Sequence, residues 1–195
     1  MNPSGVILYG PPGSGKDTIT AELSVFQPDF RLFLRLKAGR GRITGYRLTT
    51  AEHIEELAQA GDVLYRNSRY GAEYAIDRSE VSSLVDSGHI PVLHVGQLAG
   101  VRAVAAYPIN WVQVLLWCPE DVTRQRCQDR GDRDLEARLK VWHETRQDLL
   151  DHTAEPWSLV IRTNLVSVAQ AAQAIDEARL AGAPAEVRDI RGLVG

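Results

Sequence analysis

Gly5-Val-Ile-Leu-Tyr9, followed by Gly10-Pro-Pro-Gly13-Ser-Gly15-Lys16-Asp17, decides how the rest of the chain is read. The first five residues are a short apolar run with β-branched members that stops at glycine and proline, the pattern of a buried strand entering a turn. Beyond Asp17, the residues Ile19, Leu23 and Phe26 recur at helical spacing until Gln27-Pro28 ends the pattern. A strand, a turn of the form G-x-x-x-x-G-K and a helix, in that order, make a phosphate-binding loop. Its glycines let successive N–H groups turn inward around an anion, and the helix that starts there adds its positive end. Gly10, Pro11, Pro12, Gly13, Ser14, Gly15 and Lys16 are therefore the expected phosphate-holding set, with Lys16 supplying a mobile point charge for the outer phosphates. Of the 22 basic side chains 19 are arginine, so a lysine at this one position is not filler.

The usual Ser or Thr after the lysine is replaced by Asp17, followed by Thr18. In such loops a hydroxyl helps to hold Mg²⁺. Thr18 supplies one a residue later, and Asp17 has two readings: holding the ion through a coordinated water, or solvating the first helical turn.

At 195 residues the chain is one domain, with 44% hydrophobic and 24% charged residues. That balance excludes a disordered or fibrous protein. A net charge of −3 leaves no basic field for nucleic acid or an anionic membrane. The two cysteines, Cys118 and Cys127, make neither a disulfide framework nor a four-ligand zinc set. With no signal-like start and no uninterrupted apolar span, a soluble cytoplasmic protein is expected.

Strand-like runs at Ile90–Val95, Trp111–Trp117 and Leu159–Ile161 alternate with helical patterns at Ser79–Val85, Leu98–Ala106, a long helix opening at Pro119, Asp134–Asp151 and Val168–Leu180. That alternation predicts an α/β fold with a mostly parallel sheet. Residues 1–31, 77–121 and 146–180 form its expected core, and 181–195 is expected to be a loose C-terminal tail. Two segments break the alternation. The first, 32–76, has little apolar periodicity over Arg31–Arg47, a helix over Thr50–Ala60, and short strands on either side of Asn67-Ser68. It carries Arg35, Lys37, Arg40, Arg42 and Arg47, which read either as a phosphate-holding cluster or as a solvated loop. The second, 122–145, carries Arg124, Arg126, Arg130, Arg133 and Arg138 amid acidic residues, so surface pairing stays open beside a role in spreading charge over a transferring group. The histidines have no ligand spacing, and solvated or packed roles are expected for most of them.

Taken together in order, these motifs resemble the guanylate kinase-like P-loop kinases over roughly residues 4–178. Gly45-Tyr46, the helix Thr50–Ala60, Gly61-Asp-Val-Leu64 and Tyr70-Gly71 are similar to the family's acceptor-binding arm. Val92-Leu93 leading to Gly100-Val-Arg102 is similar to its central strand and following helix, Pro119–Gly131 to the helix leading into its lid, and Thr163-Asn164 to the loop near the adenine. The resemblance implies a three-layer P-loop sandwich with an inserted arm and a closing lid. It also implies ATP and Mg²⁺ as cofactors, and transfer onto a small phosphorylated acceptor. Lys16, Arg130 and Arg138 are then the catalytic candidates. Asp17, Thr18, Arg126 and Asn164 join the loop in holding Mg²⁺ and nucleotide, and Arg35, Lys37, Arg40, Tyr46 and Tyr70 face the acceptor. True guanylate kinases read guanine with a Glu, a Ser or Thr, and an Asp, where this chain has Tyr65, Ala72 and Gly96. Loss of those partners argues against GMP, because a site built for hydrogen bonds discriminates through them. Asp17 and Gly96 are shared with ribose bisphosphate kinases, so a phosphosugar such as ribose 1,5-bisphosphate, or a nucleotide other than GMP, is the expected acceptor. The alternatives are guanylate kinase proper and a non-catalytic binding module.

Overall fold

The computed structural model describes residues 3–41, 43–69, 71–132 and 134–194. The chain opens with β1 (Ser4–Tyr9), α1 (Lys16–Phe26) and β2 (Phe30–Leu32). The arm follows: β3 (Leu36–Gly39), β4 (Arg47–Leu48), α2 (Ala51–Gln59), β5 (Val63–Arg69) and β6 (Ala72–Asp77). Then come α3 (Arg78–Asp86), β7 (Ile90–Val95), α4 (Leu98–Ala105) and β8 (Asn110–Trp117). The helices α5 (Glu120–Asp129) and α6 (Leu135–Asp151) lead to β9 (Pro156–Trp157), β10 (Leu159–Arg162) and α7 (Val168–Leu180). The chain ends with β11 (Glu186–Val187) and α8 (Arg191–Val194).

Five strands in the order β10-β8-β1-β7-β2 form the central sheet, and all their pairings are parallel. The expected α/β class is what the chain adopts. β1 is buried on both faces, which is why it reads as a continuous apolar run. Val6 and Leu8 pack with Ile19 and Leu23 of α1 and Ala171, Ala172 and Ile175 of α7. Ile7 and Tyr9 point to the opposite layer, with Leu98 and Val101 of α4 and Trp142 and Leu149 of α6. These two layers around one sheet give the three-layer sandwich. Trp111 and Trp117, near the two ends of β8, belong to the second layer. α7 starts at a capping box in which Ser167 and Gln170 satisfy each other's backbone N–H, a feature worth about 0.5–2 kcal/mol.

The arm is a separate small sheet, β4-β3-β6-β5, covered by α2. Its own core is Leu36, Ala38, Ile54 and Ala75. The stretch read as lacking periodicity therefore holds strands, each of two to four residues. They are too short to show alternation, and buried Lys37 breaks the apolar signal. The arm also starts later than residue 32, because Leu32 closes β2 of the central sheet, paired with Val92. The expected turn at Asn67-Ser68 lies inside β5 instead; the hairpin pairs Arg69 with Ala72, and Gly71 takes the left-handed conformation at the turn (φ 69°).

The segment 122–145 includes most of α5 and the first part of α6, and α6 runs without a break to Asp151. Asp148 of that helix accepts from the Tyr9 hydroxyl (3.2 Å) and from the Leu98 backbone N–H (3.1 Å), tying α6 to β1 and to the start of α4. The C-terminal tail is not loose. β11 pairs antiparallel with β9, and Ile190 and Val194 are buried in the same layer as Trp157 and Leu149. Arg188 donates to the carbonyls of Trp157 and Ser158, and Arg146 to that of Val194. Isolated apolar residues in a polar tail carry no periodic signal, so only the packed structure shows where they dock.

Candidate active site

The phosphate loop leaves β1 at Gly10, where a side chain has no room: a Cβ would stand 2.1 Å from the Leu116 carbonyl oxygen of the neighbouring strand. It enters α1 at Gly15, whose left-handed conformation (φ 90°) points the first helical N–H groups into the loop. Lys16 folds back over this turn and donates to the carbonyls of Gly10 (2.6 Å) and Pro11 (2.9 Å) and to Ser14 Oγ (3.2 Å). Burial lowers its pKa to about 8; Asp17 opposes the shift, while Arg138 and Arg35 add to it. Cations from α6 and from the arm thus act on the same lysine.

Beside the loop lies a cavity of about 400 Å³, lined by residues 12–19, by Arg126, Arg130 and Arg138, and by Thr163, Val166, Ser167, Val168 and Ala171. The candidate set therefore divides. Pro12 to Thr18 and the three arginines line the space, whereas Gly10, Pro11 and Asn164 do not. Arg126 is engaged with the protein itself: it donates to Gly13 O (2.8 Å), to Thr163 Oγ1 (3.0 Å) and to Thr163 O (2.8 Å). Thr123 Oγ1 donates to Pro12 O (3.2 Å), so α5 braces the loop at two points. Arg130 pairs with Asp132 at 2.5 Å, and Arg138 Nε stands 3.7 Å from the same carboxylate. The Arg130 hydrogen bond is the main reason that the Asp132 carboxyl is held below its ordinary pKa.

Among the described residues no group of three His, Cys, Asp or Glu side chains gathers to hold a metal. The cavity does present two oxygen donors beside Lys16, the exposed Asp17 carboxylate and the exposed Thr18 hydroxyl. Hard oxygen ligands of this kind suit Mg²⁺, which keeps several waters when bound. Sequence reasoning passed over one neighbour of Asp17. His94, at the end of β7, places Nε2 2.7 Å from Thr20 Oγ1 and Nδ1 3.3 Å from Asp17 Oδ1. Burial holds its pKa below the usual value, with Lys16 and Arg35 acting in the same sense and Asp17 against them. The signal was the alternation Ile90, Val92, His94, which puts the ring on the α1 face of the strand.

The acceptor candidates lie in the arm, outside this cavity. The Arg35 guanidinium carbon is 5.1 Å from the centroid of the Tyr74 ring and 6.0 Å from that of Tyr46. Lys37 Nζ is 5.8 Å from Tyr46 and 6.0 Å from Tyr74. Arg35, Lys37 and Tyr46 are thus brought together, with Tyr74 as a member that sequence reasoning missed. Lys37 is only 1% exposed and donates to the carbonyl of Arg40 (2.6 Å), whereas Arg40 itself is exposed. Tyr70 lies outside the described residues. Arg47 serves the fold, reaching Asp77 and the Leu34 carbonyl. Tyr65 donates to Gln97 Oε1 (2.7 Å), and a Cβ on Gly96 would be 3.7 Å from an Arg69 guanidinium nitrogen. Where a guanine-reading acid is expected by resemblance, the neighbour is therefore an arginine, itself paired with Glu144 (2.7 Å). Tyr65 pairs with Ile76 and Ala72 with Arg69, so these two positions stand at different levels of the hairpin.

Residues 6–156 match the model of the AAA domain family. No curated protein matches the chain. Among solved structures, guanylate kinase from Anaplasma phagocytophilum is similar over 93% of this chain and 87% of that one, with 16% identity and a TM-score of 0.65. Shikimate kinase from Acinetobacter baumannii in complex with shikimate aligns over 93% of this chain and 94% of that one, with 16% identity and a TM-score of 0.47. The likeness to guanylate kinase is one of fold, and that fold is the three-layer P-loop sandwich which the sequence resemblance implies.

Proposed function

The chain belongs to the AAA domain family, and we propose that it is an ATP-dependent kinase that transfers the γ-phosphoryl group onto the phosphate of a small phosphorylated acceptor. The acceptor is a phosphosugar such as ribose 1,5-bisphosphate, or a nucleotide other than GMP. One observation carries the reading: Lys16 of an intact phosphate loop lines a single cavity of about 400 Å³ together with Arg130 and Arg138. In this reading their charge stands where the phosphoryl group is transferred.

In this reading the loop N–H groups and Lys16 hold the ATP phosphates, Lys16 exchanging its contacts with Gly10 and Pro11 for phosphate oxygens. Asp17 and Thr18 hold Mg²⁺, which when bound neutralises charge on the outer phosphates. Arg130 and Arg138 leave Asp132 for the transferring group. Arg35, Lys37, Arg40 and Tyr46, with Tyr70, hold the acceptor; its phosphate is a competent nucleophile once oriented, so no general base is assigned. Arg126 braces loop and nucleotide site together. The working partners are small molecules in the cytoplasm, with no nucleic acid or membrane involved. Among the described residues no helix is long and apolar enough to cross a membrane.

The test is ADP release from ATP and Mg²⁺ against a panel of nucleoside monophosphates and phosphosugars, with product masses checked for one added phosphate. Turnover of a phosphosugar or a non-GMP nucleotide with GMP idle is the expected result. Efficient GMP turnover makes the chain a guanylate kinase proper. ATP binding without turnover of any acceptor favours a binding module.

A further inference from the structure

β7 carries Ile90 and Val92 on the face that packs against Ile19 and Leu23 of α1. His94 continues that stripe at the C-terminal end of the strand, where another apolar side chain would complete the layer. Its ring instead reaches two polar groups of α1, Thr20 Oγ1 at 2.7 Å and Asp17 Oδ1 at 3.3 Å. Asp17 and Thr20 are three residues apart and so share one helical face. Thr20 is buried, whereas the Asp17 side chain is 70% exposed and lines the phosphate cavity next to Lys16.

The hydrogens of this chain of contacts have one consistent arrangement. A carboxylate only accepts, so the ring hydrogen facing Asp17 sits on Nδ1. The other nitrogen of a neutral ring then accepts, and the Thr20 hydroxyl donates to it. The sequence Thr20 O–H to Nε2, Nδ1–H to Asp17 thus ends at a carboxylate in the cavity. An exposed side chain on the first turn of a helix has several staggered rotamers, and a hydrogen bond to a ring fixed from behind selects one.

The geometry points to His94 as a positioning residue that holds the Asp17 carboxylate in the cavity for the cation accompanying bound ATP, with Thr20 fixing the ring. The inference rests on the kinase reading above. It adds a residue from another strand, and it accounts for a histidine placed where the fold alone calls for an aliphatic side chain. Partners behind a metal-holding side chain set its orientation and change metal affinity by about 10–100-fold when removed.

The experiment is calorimetric titration of the whole chain with ATP, once in Mg²⁺ and once in EDTA, so that the readout is binding and not turnover. His94→Ala is expected to weaken ATP binding about tenfold in Mg²⁺ while leaving the EDTA affinity within about twofold. His94→Asn, which keeps an N–H near the Nδ1 position, recovers most of the loss. In an Asp17→Asn background, His94→Ala causes no further loss in Mg²⁺. Equal losses with and without the metal, or losses that add to those of Asp17→Asn, overturn the inference and leave His94 a packing residue. Should His94→Ala fail to fold, Thr20→Val keeps the volume and deletes the hydroxyl. It is expected to cost about two- to threefold in Mg²⁺ alone, and an unchanged affinity overturns the inference equally. A wild-type chain that binds no ATP under either condition overturns the kinase reading and this inference together. Metal-independent effects on intact ATP binding overturn the inference alone.

Discussion

At the phosphate loop, Lys16 and Arg126 are held by main-chain carbonyls at 2.6–2.9 Å, whereas in the arm Arg35 lies against the rings of Tyr46 and Tyr74 at 5–6 Å. The first kind of contact is directional and fixes a cation at one point. A ring face attracts a cation without consuming its N–H donors, so it holds the charge nearby and leaves donors for an anion. The two regions also differ in what supports them. The loop is enclosed by the sheet, α1 and α5, while the arm folds around a core of Leu36, Ala38, Ile54 and Ala75. A rigid phosphate loop and a more adaptable arm follow from that difference, because local stability tracks the apolar contact beneath a segment.

The largest effect is expected at the rigid end. Lys16→Ala should lower kcat/KM at least ~1000-fold, since positioning and electrostatics carry phosphoryl transfer. Circular dichroism should remain native; residual turnover above one-tenth of wild type would remove the loop from the reaction. Arg138→Ala should lower kcat about 100-fold and change ATP affinity only slightly, because its charge serves the transfer and not the resting complex. Equal losses in kcat and binding would place it with the holding residues instead. The arm breaks by another route. Ile54→Ala removes the centre of its small core, a type of change that costs about 2–5 kcal/mol. Hydrogen exchange should rise in β3, β5 and β6 with acceptor KM, while ATP binding stays intact; uniform exchange across both sheets would show that arm and core melt as one. Arg35→Ala is expected to raise acceptor KM about tenfold, as loss of one charged hydrogen-bonding partner does.

The smallest effect is on pH. Lys16 has a pKa lowered by burial to about 8, against Asp17 and together with Arg138 and Arg35. Raising the pH through that value removes its charge in the free protein, so kcat/KM for ATP should fall above about pH 8. Bound phosphates favour the charged form and raise this pKa, so kcat should stay flat to higher pH. Lys16→Arg keeps its charge and should lose the inflection in kcat/KM; an inflection that survives belongs to another group. The stability of the free protein runs the other way. The folded state binds the proton more weakly than the unfolded one, so stability should increase with pH between about 8 and 10.5.

How much of this was legible beforehand depends on the length of each signal. β1, β7 and β8 are six to eight residues long and enclosed on both faces, so their apolar runs announce buried parallel strands. The phosphate loop was legible residue by residue, since its glycines answer to local backbone geometry. β3 and β4 were hidden, because two to four residues show no period and Lys37 is buried among them. Tyr74 and His94 were hidden for a different reason: what they meet comes from residues 37 to 77 positions away in sequence.

The sequence by itself determined the α/β class, the strand–loop–helix that cradles phosphate, and the charge types collected in the two inserted segments. Those features rest on local rules of backbone conformation, side-chain periodicity and charge. Only the tertiary structure decided that Arg126 braces the loop, that Arg130 and Arg138 share Asp132, and that Arg35 stands on paired tyrosines. It also decided that the C-terminal segment closes the core through Ile190 and Val194. Each of these depends on which side chains face one another across elements far apart in the chain, and packing fixes that only when the whole core has formed.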